Sequence, residues 1–321
     1  MVQKNSIKNK IIIICGPTAS GKTTLAVECA KLLNSEVISA DSMYIYKHLN
    51  IGTAKPNSVE MAGITHHMID VVSPFDNFSV SNYKSLATPL IDNLISKNKV
   101  PIICGGTGFY INSILYDLSY GQEQGNQSIR DKYKKLAQEH GNQYVYNILK
   151  DVDNESADKL HYNDLKRVIR ALELYECGTK KSDLNDTLEP KYNYKAYSID
   201  FPRETLYTRI NHRVDKMLDQ GLLDEIKNLT NMGLTRKNQC MQAIGYKEIL
   251  DYIDGNCTLN DAIENIKLNT RHYAKRQITF FKKLNVIQLP PEDVTILAKQ
   301  IIEGLHYDWF KINWTMRTRI K

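Results

Sequence analysis

The eight residues GPTASGKT, 16–23, carry the pattern G-x-x-x-x-G-K-S/T through Gly16, Gly21, Lys22 and Thr23, with Thr18, Ala19 and Ser20 inside it. Each residue type has a reason in phosphate chemistry. Glycine lets backbone N–H groups approach phosphate oxygens, and a helix starting at the loop adds the partial positive charge of its N-terminus. Lys22 meets the terminal phosphate as a point charge, and the Thr23 hydroxyl is suited to ligate Mg2+. The run IIIIC before the loop reads as a covered strand and TTLAVECAKLLN after it as a helix, the context in which this pattern binds phosphate. What carries the phosphate is a separate question. A nucleotide-hydrolysing motor places a carboxylate at the end of a later apolar strand to hold Mg2+. Here VPIIC runs straight into GGTG, and the best acidic candidate is Asp41, after the strand EVISA.

The elements that must position these loops alternate. EVISA leads into DSMY, HMIDVV follows, a helix spans roughly Val80–Ile95, VPIIC enters GGTGFY, and a further helix spans roughly Ile111–Tyr116. Alternating β and α elements make a parallel sheet covered by helices, with ligands beyond the carboxyl ends of the strands. The loops beginning at Gly16, Asp41 and Gly105 should therefore open onto one crevice. From about Gly121 the chain turns polar and helical, and strand-like sequence returns only at KAYSID, 195–200. The expected fold class is α/β: a P-loop NTPase-like parallel sheet flanked by helices. Residues 1–121 and 193–321 would form the core with C-terminal helices, and 122–192 a mostly helical insertion. Residues 1–10 are expected to fray, 179–189 to form a polar linker, one helix to run over roughly Glu204–Leu229 and another from about Leu259 to Lys283.

Composition narrows the class without naming it. With 42% hydrophobic and 24% charged residues, 321 residues bury at least one full core, and a net charge of +6 permits a polyanionic partner without demanding one. Six scattered cysteines, with no C-x-x-C pair and no histidine at metal-ligand spacing, fit a reducing cytosol and argue against zinc. The longest apolar runs, Ile11–Cys15 and Val100–Cys104, are too short to cross a bilayer, so no membrane partner is expected.

Six stretches occur in order: GPTASGKT, DSMYIY with NIGTAKP, THHMIDVVSP, GGTGFY, DLKRVIRALE and QAIGYKE. Together, over about residues 11–285, they resemble the tRNA dimethylallyltransferases, also called isopentenyltransferases. That family moves a five-carbon prenyl group from dimethylallyl diphosphate to N6 of the adenosine 3′-adjacent to the anticodon, in tRNAs that read codons beginning with U. The resemblance implies that the glycine loop holds the donor's diphosphate with Mg2+ and that no phosphoryl group moves. It implies that Asp41 is the base for the adenine amine and that Ser42, Met43 and Tyr44 touch the RNA beside it. It also implies that Thr107 meets the diphosphate near the scissile bond and that Arg213 ligates the diphosphate. By residue type alone, Asp41 is a helix N-cap, GGTG a glycine turn, and Arg209 and Arg213 surface partners of Glu204 or Asp219. One departure stands out: Tyr44 occupies a position where the family's pattern has Gln.

Further RNA contacts are expected on basic helices. DLKRVIRALE puts Leu165, Val168, Ile169 and Leu172 on its apolar face, with Lys166, Arg167 and Arg170 outside. In the family this segment, Lys166, Arg167, Val168, Ile169 and Arg170, meets tRNA. TLND resembles a capping box opening a helix on which Lys267, Arg271 and Lys275 form an i, i+4, i+8 stripe that positions RNA rather than reading it. In the loop QAIGYKE, Gln242, Gly245 and Tyr246 offer hydrogen bonding, close approach and stacking to an extruded nucleotide. The expected partners are a tRNA anticodon stem-loop and dimethylallyl diphosphate, acting on a cytoplasmic monomer. A P-loop small-molecule kinase using ATP is the alternative, and a non-catalytic RNA-binding protein a third.

Overall fold

The structure, a computed structural model, describes residues 10–116, 118, 126–184 and 189–315, with side chains up to Leu305. Of the segments read as frayed or linker, 1–9 and 185–188 lie outside the described residues, as does most of the turn into the insertion. The chain divides into two compact units, Met1–Leu115 with Tyr192–Lys321, and Tyr116–Lys191.

The first unit is built on a six-stranded parallel sheet: β1 (Lys10–Cys15), β2 (Val37–Ser39), β3 (His66–His67), β4 (Ile102–Gly105), β5 (Asn193–Ile199) and β6 (Val286–Leu289), in the order β3-β2-β4-β1-β5-β6. Every residue of β1, KIIIIC, is buried, as a strand covered on both faces must be. Ile12 and Ile14 pack with Leu25, Ala26, Cys29 and Ala30 of α1 (Lys22–Leu33). The helices between the strands are α2 (Ser58–Met61), α3 (Val80–Ser96) and α4 (Gly108–Leu115), the last starting three residues before the sequence reading because the GGTG turn runs directly into it. The second unit is helical: α5 (Gln127–His140), α6 (Asn142–Val152), α7 (Asn154–Asp158) and α8 (Leu165–Glu176). After β5 come α9 (Arg203–Asp219), α10 (Leu222–Asn231), a 3-10 turn (Gln239–Gln242), α11 (Tyr246–Ile253), α12 (Leu259–Phe281) and, beyond β6, α13 (Val294–Thr315).

Two readings need correction. The single helix expected over Glu204–Leu229 is two, because Gly221 takes φ +96°, a left-handed conformation that ends one helix and starts the next. QAIGYKE is no open loop: Gln242 closes the 3-10 turn and Gly245 is the N-cap of α11. The capping box at Thr258 and Asp261 is present, with reciprocal bonds of 3.2 and 3.1 Å. Among the described residues no helix is long and apolar enough to cross a membrane.

The sheet order determines which loops meet. β1 lies between β4 and β5, and β2 lies beyond β4, with Cys15 opposite Gly105 and Ser39 opposite Cys104. The loops after β1, β2 and β4 therefore leave adjacent strand ends, the crevice at which open α/β sheets bind ligands. Packing there leaves no room for side chains on the loop after β4: a Cβ on Gly105 would stand 2.2 Å from the Ala40 carbonyl oxygen. Backbone cannot swing away, so Gly105→Ala is expected to destabilise the protein by about 1–3 kcal/mol through overpacking. Thermal unfolding checks this, with Gly63→Ala, whose Cβ meets nothing within 4 Å but whose φ is +78°, as the control for conformational strain alone.

Candidate active site

The loop after β1 is held in shape by its own atoms. Ser20 donates to the Pro17 carbonyl at 2.8 Å and Lys22 Nζ to the same oxygen at 2.5 Å. Ala19 and Gly21 both take positive φ, +61° and +83°. No side chain caps α1 at Gly21, so the first N–H groups of the helix, from Lys22 and Thr23 onward, face the loop's interior as an anion cradle. Arg209 Nε of α9 donates to the Ala19 carbonyl at 2.8 Å while its guanidinium lies 4.7 Å over the Phe201 ring. Arg209 thus buttresses the cradle. The bonds it makes are to neither Glu204 nor Asp219, the surface partners its residue type had suggested.

The loops after β2 and β4 are tied together. The Thr107 amide donates to the Ala40 carbonyl at 3.0 Å and the Thr107 hydroxyl accepts the Ser42 N–H at 3.0 Å. Asp41 accepts the Met43 N–H at 2.9 Å, so the carboxylate is oriented by its own turn and does not cap a helix. Burial holds the Asp41 carboxyl above its ordinary range, against the opposing pull of the Met43 N–H, Lys22 and Arg213. Burial brings Lys22 down to about 8, Arg213 pushing the same way and Asp41 the other. A carboxylate, a lysine and an arginine therefore lie within electrostatic reach of one another, with the carboxylate and the lysine both shifted by burial.

Tyr44 lies within that reach too. Its hydroxyl donates to the Ala54 carbonyl at 2.8 Å, and Arg213 Nη2 of α9 donates to the same oxygen at 3.1 Å. The segment presenting that carbonyl is gripped by Glu225 of α10, which accepts N–H groups from Asn50, Ile51 and Gly52 at 2.8, 2.7 and 3.0 Å. Tyr246, read as a stacking residue, is fully buried and donates its hydroxyl to the same Glu225 at 2.7 Å. Its ring fills the space a Cβ on Gly52 would need, which removes it from any base-stacking surface. Gly245 is buried, its N–H bonded to Glu248 at 2.7 Å, and the exposed Gln242 donates its amide to the Arg236 carbonyl.

The remaining basic residues separate by burial. On α12, Lys267 is held by Asp215 at 2.9 Å and Arg271 by Asn211 at 2.8 Å, while Lys275 is exposed. On α8, Lys166 and Arg167 are exposed, Arg170 is half-buried, and two residues read as RNA contacts, Val168 and Ile169, are buried. Val168 and Ile169 belong to the apolar core of the second unit, and Arg170 binds the buried Glu173 at 2.6 Å, beside Arg130 at 2.8 Å. An isolated carboxylate 1% exposed would be costly, and the two guanidiniums keep its pKa below the usual range against burial.

Two site residues carried no signature in the sequence. Tyr273 of α12 lies within interaction range of Thr107 and Gln277, and burial, with Asp41's charge adding to it, pushes its hydroxyl up to about 12. Gln277, one turn on, accepts the Thr18 N–H at 2.9 Å. The signal available was a neutral polar residue in the buried stripe of α12, among Ala262, Ile266, Ala274 and Phe281.

No group of three or more His, Cys, Asp or Glu side chains able to hold a metal is found among the described residues. The Thr23 hydroxyl at the cradle suits an ion that keeps most of its water and takes its other ligands from substrate phosphate, as Mg2+ does.

A phosphate cradle at a helix N-terminus, faced by a carboxylate and a hydroxyl from adjacent strand ends, defines a P-loop group-transfer enzyme. A family profile described as IPP transferase matches residues 44–284, from Tyr44 to past α12. A tRNA dimethylallyltransferase of Acetivibrio thermocellus is 45% identical over 303 residues, covering 93% of this chain and 97% of the relative. That of Caldanaerobacter subterraneus is 47% identical over 291 residues, 87% of this chain and 90% of the relative. Among solved structures, the tRNA isopentenylpyrophosphate transferase of Bacillus halodurans superposes with TM-score 0.71 at 39% identity, covering 95% of this chain and 99% of that one. A eukaryotic dimethylallyltransferase acting on tRNA gives 0.75 at 30% identity, over 90% of this chain and 75% of that one. The chain belongs to the IPP transferase family.

Proposed function

We propose that this protein transfers the dimethylallyl group of dimethylallyl diphosphate to N6 of the adenosine 3′-adjacent to the anticodon of tRNA, forming N6-(dimethylallyl)adenosine. The observation that carries the reading is that the uncapped N-terminus of α1 and the loops bearing Asp41 and Thr107 leave adjacent strand ends, the latter two joined by the Ser42–Thr107 bond. The donor's diphosphate sits against the N–H groups of Gly21, Lys22 and Thr23, with Arg213 and Thr107 toward the bridging oxygen. Its C–O bond breaks with the electron pair leaving on oxygen, and Lys22 and Arg213 neutralise that charge in a site with little water. The allylic carbon bonds to N6, and the N6 proton passes to Asp41. A carboxylate is needed because the adenine amine's lone pair is delocalised into the ring. Mg2+, bound when donor is present, would be held by Thr23 and supply further charge for the leaving diphosphate.

The adenosine reaches this crevice only if unstacked, which an anticodon loop permits more cheaply than a duplex. Ser42, Met43 and Tyr44 are the proposed contacts beside the target base, with Lys166, Arg167, Gln242 and Lys275 at exposed positions along the RNA and the insertion as a tRNA-binding domain. A cytoplasmic monomer completes the reading. The experiment incubates pure protein with Mg2+, dimethylallyl diphosphate and either an unmodified anticodon stem-loop or AMP, followed by nucleoside mass analysis. Product on the stem-loop at a kcat/KM at least about a hundredfold above AMP is expected, since AMP lacks the phosphates that basic helices would engage. Equal use of AMP would remove tRNA from the proposal, and ADP release from ATP without prenyl transfer would restore the kinase.

A further inference from the structure

We infer that Gln277 is a positioning residue that sets the distance between the diphosphate cradle and the Thr107 loop, and that prenyl transfer depends on it; this rests on the function just proposed. The residue is 5% exposed, and its side-chain amide bridges two catalytic loops. Oε1 accepts the Thr18 N–H at 2.9 Å and Nε2 donates to the Gly106 carbonyl at 3.0 Å. Both ends of a planar group are therefore used, one on each loop, and a planar amide is stiff. The fit is tight: a Cβ on Gly106 would lie 2.0 Å from Gln277 Nε2, and one on Gly108 would lie 2.1 Å from the Phe280 ring of the same helix. Tyr273, one turn earlier, lies within interaction range of Thr107 and Gln277, so α12 runs along the Thr107 loop with Gln277 and Phe280 packed against its glycines.

The sheet alone does not supply this tie. Cys15 and Gly105 are the last paired residues of β1 and β4, and beyond them the two loops diverge from the ladder. Gln277, 259 residues from Thr18 in sequence, spans the gap they leave. One loop holds the leaving diphosphate and the other the hydroxyl that meets it, to which Ser42, next to Asp41, is bonded. A change in their separation misaligns the breaking and forming bonds while leaving each substrate's own contacts in place. The loss should therefore fall on kcat rather than on RNA affinity.

Gln277→Met keeps the length and volume of the side chain and removes both bonds. Expected for Q277M are a kcat lower by roughly 10- to 100-fold, stem-loop affinity within about twofold of the parent, and amide hydrogen exchange at Thr18 faster by about tenfold or more with the β1 amides unchanged. Gln277→Glu keeps the acceptor for Thr18 and turns the donor into a second acceptor facing a carbonyl. Protonation restores the donor, so the ratio of Q277E to parent kcat should rise as pH falls, which a purely structural role would not produce. If Q277M does not fold, the Q277E ratio decides. The inference is overturned if Q277M keeps kcat within twofold, if stem-loop affinity and kcat fall together, if Thr18 exchange is unchanged, or if the Q277E ratio is flat with pH. Absence of prenyl transfer in the parent protein would defeat the proposed function instead, while Thr18 exchange would still test the bridge.

Discussion

Asp41→Asn is expected to lower kcat for prenyl transfer by roughly 10^2- to 10^4-fold, the range a positioned general base supplies. The amide retains an acceptor for the Met43 N–H, so the turn that orients residue 41 survives and the loss can be assigned to the missing base. Stability should move the other way. Asp41's folded pKa is raised by burial, so the stability its neutral form contributes is full below the unfolded carboxyl's pKa and is lost as pH rises through the folded value. Ionising the buried native carboxyl carries a cost that Asn avoids, so at a pH above the folded pKa the melting temperature of D41N should equal or exceed that of the parent. In the parent, kcat should climb with pH through the raised Asp41 pKa, and residual transfer by D41N should lack that limb. A D41N enzyme within tenfold of the parent, measured by nucleoside mass analysis at saturating substrates, would assign the base elsewhere.

Lys22→Met should cost about as much, roughly 10^2- to 10^3-fold in kcat, by removing the charge proposed to meet the leaving diphosphate. Because burial brings Lys22 down to about 8, donor binding to the free enzyme should weaken as pH rises through that value, and K22M should show no such limb. The linkage sign is again unusual. A lysine whose folded pKa is lowered leaves the native state with fewer protons than the unfolded chain between about 8 and the ordinary 10.5, so stability rises with pH across that window. K22M is therefore expected to fold at least as stably as the parent at neutral pH. It should also raise the Asp41 pKa further, since Lys22 is one of the charges holding it down, and move the acid limb of any residual activity upward. Unchanged pyrophosphate affinity in K22M by calorimetry would contradict the cradle's assignment.

Much of the site was legible because it is local. GPTASGKT is a short loop recognisable from its own glycines and the strand and helix it joins, and the strand-loop rhythm places Asp41 and the GGTG turn at neighbouring strand ends, while the roles of Asp41 and Thr107 come from the family's pattern. Arg213 could be named only through the family's pattern, because one face of α9 carries two arginines and spacing cannot tell which reaches Ala54 and which reaches Ala19. Tyr246 misled for a related reason: an aromatic after a glycine reads equally as a stacking surface or as packing, and only the packing of Gly52 against its ring decides. Val168 and Ile169 show that a motif's membership does not make each of its side chains a contact, since helical period already put both on the apolar face.

The sequence by itself determined the parallel α/β sheet, the phosphate loop and the residues at its strand ends, because hydrophobic period and glycine spacing act over one turn or one strand. Tertiary structure alone decided the partners separated by long stretches of chain: Glu225 holding the backbone of Asn50–Gly52, Tyr273 beside Thr107, and Gln277 joining Thr18 to Gly106. Those contacts arise from how α10 and α12 settle against the sheet's edge loops, and a buried amide or carboxylate finds its partners only after the apolar faces have packed.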